Sequence, residues 1–251
     1  MATAKKEELD SSVSEAEWQA RVDLAAAYRL ADHFGFTQLV YNHITARVPG
    51  TADQFLINAF GLGYNEITAS NLVKIDLDGN VLSGSAEINV PGYIIHSAVH
   101  GARHDVGCVM HTHAPYGMVV STLEDGFVPY QQDSYAYYDE IAYHEFEGLA
   151  VDTDERERLV TDLGDKFSMI LRNHGLLTVG PTIPDAFVRM YNLERACMVQ
   201  VMALQTGARL HQAPQVAIDK TAALLNRGRK GDREWPWMLR ILQQKDPSYK
   251  L

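Results

Sequence analysis

The chain has 251 residues, 46% of them hydrophobic, and no apolar run approaches the length of a membrane span. That size fits one large α/β domain, and the formal net charge of −10, from 22 basic and 32 acidic residues, disfavours nucleic-acid binding. The polar start, Met1 to Glu8, lacks the apolar core of a signal peptide, so a cytoplasmic protein is expected. Cys108 and Cys197 sit in apolar surroundings and read as buried thiols.

Residues 1–13 read as a flexible arm. Ser14 can cap a helix, with Glu17 three residues on, and Trp18, Val22, Tyr28 and Leu30 follow helical spacing up to the stop at Phe34-Gly35. Strand-like segments follow at 39–48, 54–58 and 73–77. The Asp78-Gly79-Asn80 turn then leads into Val81-Leu82. Pro91-Gly92 opens a second helix whose buried stripe is expected to be Ile95, Ala98, Val99 and Ala102. A strand over Val106 to His111 is followed by a short helix over 114–122. Residues 123–150 read as aromatic loop, and 154–166 as a charged amphipathic helix. Two strand pieces over 167–179 are interrupted at Asn173-His174-Gly175. Thr182 then starts a long helix reaching about Ala208. The pattern predicts a single three-layer α/β/α domain over 14–210 with a mixed, mainly antiparallel central sheet. Residues 211–251 form a helical extension packing on the domain or on a neighbouring subunit.

His111-Thr112-His113 ends one strand-like run, and His174 ends another just before Gly175. Histidines at i and i+2 of a strand project from one face. With a third imidazole from a second strand they make a facial ligand set with an open position, the form of a catalytic metal site. The alternative is a group of hydrogen-bonded core histidines. His96 and His100, at i and i+4 of one helix, also have ligand spacing. Without a third partner they read as supporting or packing residues.

Several segments together resemble the class II aldolase/adducin family. They are Asn42-His-Ile-Thr-Ala-Arg47, Ile67 to Asp76, Ile95-His-Ser-Ala-Val-His100, His111-Thr-His-Ala-Pro115, Ala142 to Gly148, Arg172-Asn-His-Gly-Leu176 and the tail Asp246-Pro-Ser-Tyr249. The resemblance implies an α/β/α fold of the class II aldolase type and metal ligation by His111, His113 and His174. It also implies a homotetramer with active sites between subunits. The implied cofactor is one divalent metal per subunit, zinc first, with manganese, cobalt or iron as alternatives, since three imidazoles accept all of them.

The chain departs from the sugar-phosphate members of the family. Where they carry Ser-Ser-Glu, with phosphate-holding serines and an acid/base Glu, this chain has Val90-Pro91-Gly92. Tyr41 and Phe60 bring bulk where phosphate needs small residues and free backbone N–H groups. A small, non-phosphorylated hydroxy or oxo acid is therefore the expected substrate, with a hydroxylated aromatic carboxylate as one form. The expected activity is a metal-dependent carbon–carbon lyase, by decarboxylation or retro-aldol cleavage. The competing readings are a non-heme iron oxygenase, a sugar-phosphate aldolase or epimerase, and an adducin-like binding module. Tyr138, in the tyrosine-rich 130–144 segment, is the expected proton donor, and Glu87 is the candidate replacement for the missing carboxylate. Asn42, Thr45, Gln132 and Arg172 are the expected substrate contacts. Neither nucleic acid nor membrane is expected as a partner.

Overall fold

The computed structural model describes residues 13–84, 87–148, 154–228 and 230–251, so the expected flexible arm at 1–13 lies almost wholly outside the described residues. Helix α1 spans Glu15–His33 and is capped as its sequence predicts, with Ser14 Oγ accepting from Glu17 N–H at 3.1 Å. The Glu17 carboxylate does not close a capping box. It reaches inward instead, to Arg21 at 3.0 Å and Lys74 at 3.1 Å, which ties α1 to the sheet.

Eight strands form one sheet: β1 (His43–Arg47), β2 (Gln54–Ile57), β3 (Val73–Asp76), β4 (Val81–Ser83), β5 (Cys108–Thr112), β6 (Ile141–His144), β7 (Ser168–Leu171) and β8 (Gly175–Gly180). Their order is β4-β3-β2-β1-β5-β8-β7-β6. Every pair is antiparallel except β6 with β7. The mixed, mainly antiparallel sheet is thus as expected. Strand β6 is a correction, because it lies inside the segment read as loop. Its four residues are too few to carry a period, and its parallel partner is reached only across α4.

The first strand also starts later than expected. Leu39 and Asn42 adopt φ of 52° and 85°, which breaks any extended run before His43. The strand expected over Val106 to His111 runs over Cys108–Thr112.

The remaining helices are α2 (Val90–Ala102), α3 (Pro115–Ser121), α4 (Glu155–Leu163), α5 (Ile183–Gln205), α6 (Gln215–Leu225) and α7 (Glu234–Lys245). One face of the sheet packs on α1, α3 and α5 through Leu24, Tyr28, Met110, Phe187 and Leu193. The other packs on α2 and α4 through Ile95, Val99, Val109, Leu159 and Leu163. Of the stripe expected on α2, Ile95, Ala98 and Val99 are buried, but Ala102 is exposed because the helix ends there against solvent. Both cysteines are free and buried, as expected.

The C-terminal extension is no appendage. Trp235, Met238, Leu242 and Tyr249 belong to the main core. The final turn clips onto the loop before β3, with Ala69 N–H donating to Tyr249 C=O and Ser70 N–H to Leu251 C=O, both at 2.9 Å. Among the described residues no helix is long and apolar enough to cross a membrane.

Candidate metal centre

Strand alternation decides which side chains meet. On β1, Ile44 and Ala46 enter the α1 face, so His43 and Thr45 turn to the α2 face. On β5, Cys108 and Met110 share the α1 face, leaving Val109 and His111 opposite. The register pairs His43 with His111 and Thr45 with Val109. His113 lies just past the end of β5. His174 comes from the turn between β7 and β8, closed by His174 N–H donating to Leu171 C=O at 3.1 Å. Asn173 takes φ of 54° there. Gly175 must be glycine, because a Cβ would lie 2.6 Å from the Thr112 carbonyl oxygen.

The result is a cluster of three imidazoles. Ring centroids are 4.9 Å apart for His111–His113, 4.7 Å for His111–His174 and 4.8 Å for His113–His174. One nitrogen of each lies within 4.8 Å of the others. The arrangement fits a divalent ion by its hydrogen bonds as well as its spacing. His111 Nδ1–H donates to the Leu176 carbonyl at 2.9 Å, which leaves the Nε2 lone pair pointing out. His113 Nδ1–H donates to Gln38 Oε1, and His113 Nε2 is buried with no protein partner. A buried nitrogen without a partner is costly unless something else satisfies it. Burial holds all three rings in the neutral, ligating form. His111 is pushed far below its ordinary pKa by burial and by the neighbouring imidazoles. His174 is pushed down to about 4 by burial and by His113, and His113 is lowered by burial.

The triad opens into a pocket of about 680 Å³. Tyr41, Phe60, Ile88 and Phe146 form its apolar wall, and Asn42, Glu87 and Asn89 supply polar groups. No lysine or arginine lines it among the described residues. Asn42 Oδ1 accepts from His113 N–H at 3.3 Å, and its Nδ2 is buried without a partner, free to meet a ligand oxygen.

Of the residues expected from sequence, the fold brings His111, His113, His174, Asn42 and Glu87 together. The other four lie elsewhere within one chain. Thr45 is fully buried, does not line the pocket, and is bonded to His96 and His100. Arg172 lies in a minor cleft beside His174. Its guanidinium donates to the Leu123 carbonyl at 2.7 Å and lies 4.5 Å over the Tyr143 ring. Gln132 and Tyr138 bracket a 3₁₀ turn outside the pocket, and Tyr138 is 40% exposed.

Among the pocket residues that sequence reasoning missed, His43 stands nearest the triad by ring contact. His43 lines the pocket, and its ring fills the space beside Gly92, where a Cβ would come within 2.1 Å of His43 Cδ2. The polar His43 and Thr45 on one face of a strand, set against His96 and His100 of α2, were the available signal.

Comparison with known proteins agrees with this geometry. Residues 22–201 match the Class II Aldolase and Adducin N-terminal domain. A Pseudomonas aeruginosa protein named "Putative aldolase class 2 protein" is 49% identical, over 97% of this chain and 96% of its own. Alpha-adducin of Mus musculus is 45% identical over 74% of this chain, which corresponds to 26% of the adducin. The solved structure of an L-fuculose 1-phosphate aldolase from Glaciozyma antarctica superposes with a TM-score of 0.84 at 30% identity, covering 99% of this chain and 98% of that one. With this fold, this histidine cluster and these relatives, the chain belongs to the class II aldolase and adducin N-terminal domain family.

Proposed function

We propose that the protein is a divalent-metal-dependent carbon–carbon lyase acting on a small, non-phosphorylated hydroxy or oxo acid, by decarboxylation or retro-aldol cleavage. The observation that carries this reading is the triad of neutral imidazoles whose free nitrogens converge at the mouth of a mostly apolar pocket. His111, His113 and His174 would hold the ion, with zinc the first candidate. When bound, the ion supplies Lewis-acid polarisation of a substrate oxygen, which stabilises charge developing as the C–C bond breaks.

The rest is work for the chain's own residues. Asn42 Nδ2 donates to a substrate oxygen beside the triad. Tyr41, Phe60 and Phe146 exclude water and accept an apolar or aromatic substituent. Glu87, on the pocket wall, is the carboxylate that the described pocket lining offers for proton transfer. Tyr138 and Gln132 reach a pocket only from a second copy, as they would in a homotetramer with sites between subunits.

A sugar-phosphate aldolase is the second reading, favoured by the 30% identity to the L-fuculose 1-phosphate aldolase. Against it stand the bulk of Tyr41 and Phe60 and the lack of any cationic side chain in the described pocket lining.

The test is elemental analysis of protein purified without chelator or affinity metal, beside the His111→Ala/His113→Ala double variant, followed by turnover assays. About one zinc, manganese or cobalt per chain, lost in the variant, with release of CO₂ or an aldehyde from hydroxy acids, is the expected result. Iron in the site would favour an oxygenase. Cleavage of L-fuculose 1-phosphate in preference to hydroxy acids would establish the second reading. No metal in either protein, and none on reconstitution, would leave a binding module. His113→Ala alone should abolish metal retention with the fold intact.

A further inference from the structure

A second cavity, of about 190 Å³, shares no lining residue with the pocket at the histidine triad. It lies between α5, the start of β7, the 3₁₀ turn bracketed by Gln132 and Tyr138, and the loop joining α6 to α7. Two cations line it, Arg189 of α5 and Lys230 of the loop, with Ser168, Asn192 and Asn226 as polar neighbours. Among the described lining residues Glu140 is the one acid, and it is exposed. The cavity adjoins a wider groove of about 650 Å³, whose described lining holds three acids and three bases. Positive charge is therefore in excess only in the inner cavity.

Arg189 is fixed in place but left unsatisfied. The Tyr137 hydroxyl donates to the Arg189 carbonyl at 2.8 Å, and the guanidinium lies 4.5 Å over the Phe167 ring. Its Nε is buried with no hydrogen-bond partner. Asp185, one turn back on α5, cannot serve. One of its oxygens accepts from the Thr182 hydroxyl at 2.7 Å and the other from Lys230 N–H at 2.8 Å. The Lys230 ammonium donates to the Leu225 carbonyl, which leaves further N–H groups for a second acceptor.

We propose that this cavity is a binding site for a small oxyanion, a carboxylate or a phosphate, with the Arg189 guanidinium and the Lys230 ammonium as its cationic contacts.

A guanidinium has N–H donors and no acceptor, and a buried donor left without a partner is costly. Two like charges on one cavity add their repulsion to that cost. Water accepts the hydrogen bonds but leaves the repulsion, whereas an oxyanion relieves both. The volume is more than ten times the roughly 10–15 Å³ that a single water needs, so an oxyanion head has room. The planar guanidinium matches the paired oxygens of a carboxylate or phosphate, and the lysine adds a point charge from a second element. A bound anion also braces the 3₁₀ turn. Tyr137 of that turn is bonded to Arg189, and Asn226 Nδ2 donates to the Ala136 carbonyl at 2.9 Å. The site is independent of the metal-lyase reading.

The test is calorimetric titration of the purified protein at constant ionic strength, with inorganic phosphate in one arm, acetate in the other and chloride as control. Saturable binding in at least one arm is expected, and the stronger arm identifies the headgroup. Arg189→Gln and Lys230→Gln should each weaken it about tenfold. The His111→Ala/His113→Ala double variant should bind as tightly as wild type. Lys230→Gln, on a loop, keeps the test open if Arg189→Gln does not fold.

No saturable binding in either arm overturns the proposal. So does binding that neither cation variant weakens. Binding lost in the double histidine variant overturns it by placing the anion at the triad. Binding that appears only in Glu140→Gln overturns it as well, because the Glu140 carboxylate would then fill the cavity in the native chain.

Discussion

Tyr28→Phe should destabilise the fold by about 2–4 kcal/mol without touching the pocket, because two buried backbone N–H groups depend on one hydroxyl. The β1–β2 pairing register is confined to Ala46–Leu56 and Arg47–Phe55. Beyond it the strands part, and the Tyr28 hydroxyl, fully buried, sits at the fork. It accepts from Ile44 N–H at 2.8 Å and Asn58 N–H at 3.2 Å. The acceptors for its own proton are the Ile44 carbonyl at 2.5 Å and Asn58 Oδ1 at 2.8 Å. Burial raises its pKa, so the proton stays on the oxygen. Phenylalanine keeps the ring's packing but orphans both donors, at about 1–2 kcal/mol each, which is the basis of the figure. Urea unfolding followed by circular dichroism should show a lower midpoint with an unchanged slope. A loss below about 1 kcal/mol would refute the reasoning, since those donors would then have other partners.

Three further outcomes follow from particular contacts. Gly92→Ala places a methyl group 2.1 Å from His43 Cδ2, so the His43 ring must move. A loss of about 1–3 kcal/mol, with shifted His43 resonances, is expected, and an unmoved ring would refute the contact. Glu194, buried beneath α3, accepts from Tyr116 N–H at 2.8 Å and Gly117 N–H at 2.7 Å. Burial outweighs those bonds and raises its pKa from 4.5 to about 7. The native state therefore holds this proton more tightly than the unfolded chain. The group's contribution is most favourable below the unfolded value and is lost, by about 3 kcal/mol, as pH rises to about 7. Glu194→Gln should flatten the stability–pH profile over that interval, and a profile identical to wild type would contradict the assignment. Glu87→Gln should lower turnover about 100-fold if Glu87 moves the proton, whereas an unchanged rate would transfer that role to Tyr138 of a second copy.

Much of the fold was legible in the chain because it rests on local signals. The Ser14 and Thr182 caps, the helical spacing of α1 and α5, and the interruption at Asn173-His174-Gly175 each act over a few residues. The histidine triad was legible for a related reason. His111 and His113 share a strand end, and His174 closes a second one, so alternation and order were enough to group them. Strand β6 was not legible, because its partner is remote in sequence and its own pattern is short.

The remaining site residues depended on which face met which helix. Thr45 looked like a substrate contact, but strand alternation turns it against α2, where His96 and His100 take its hydroxyl. Arg172 looked like a carboxylate clamp, but its guanidinium is held by the carbonyl of Leu123. His43 drew no attention as a single histidine, and only the β1–β5 register sets it beside His111. Sequence alone therefore determined most of the elements and the grouping of the three histidines, through periodicity and short-range spacing, while the motifs it carries pointed to the family. The tertiary structure alone decided which polar side chains reach the pocket and which are spent inside the fold. That choice is made by strand register and helix placement, which bring together atoms from segments of the chain that are far apart.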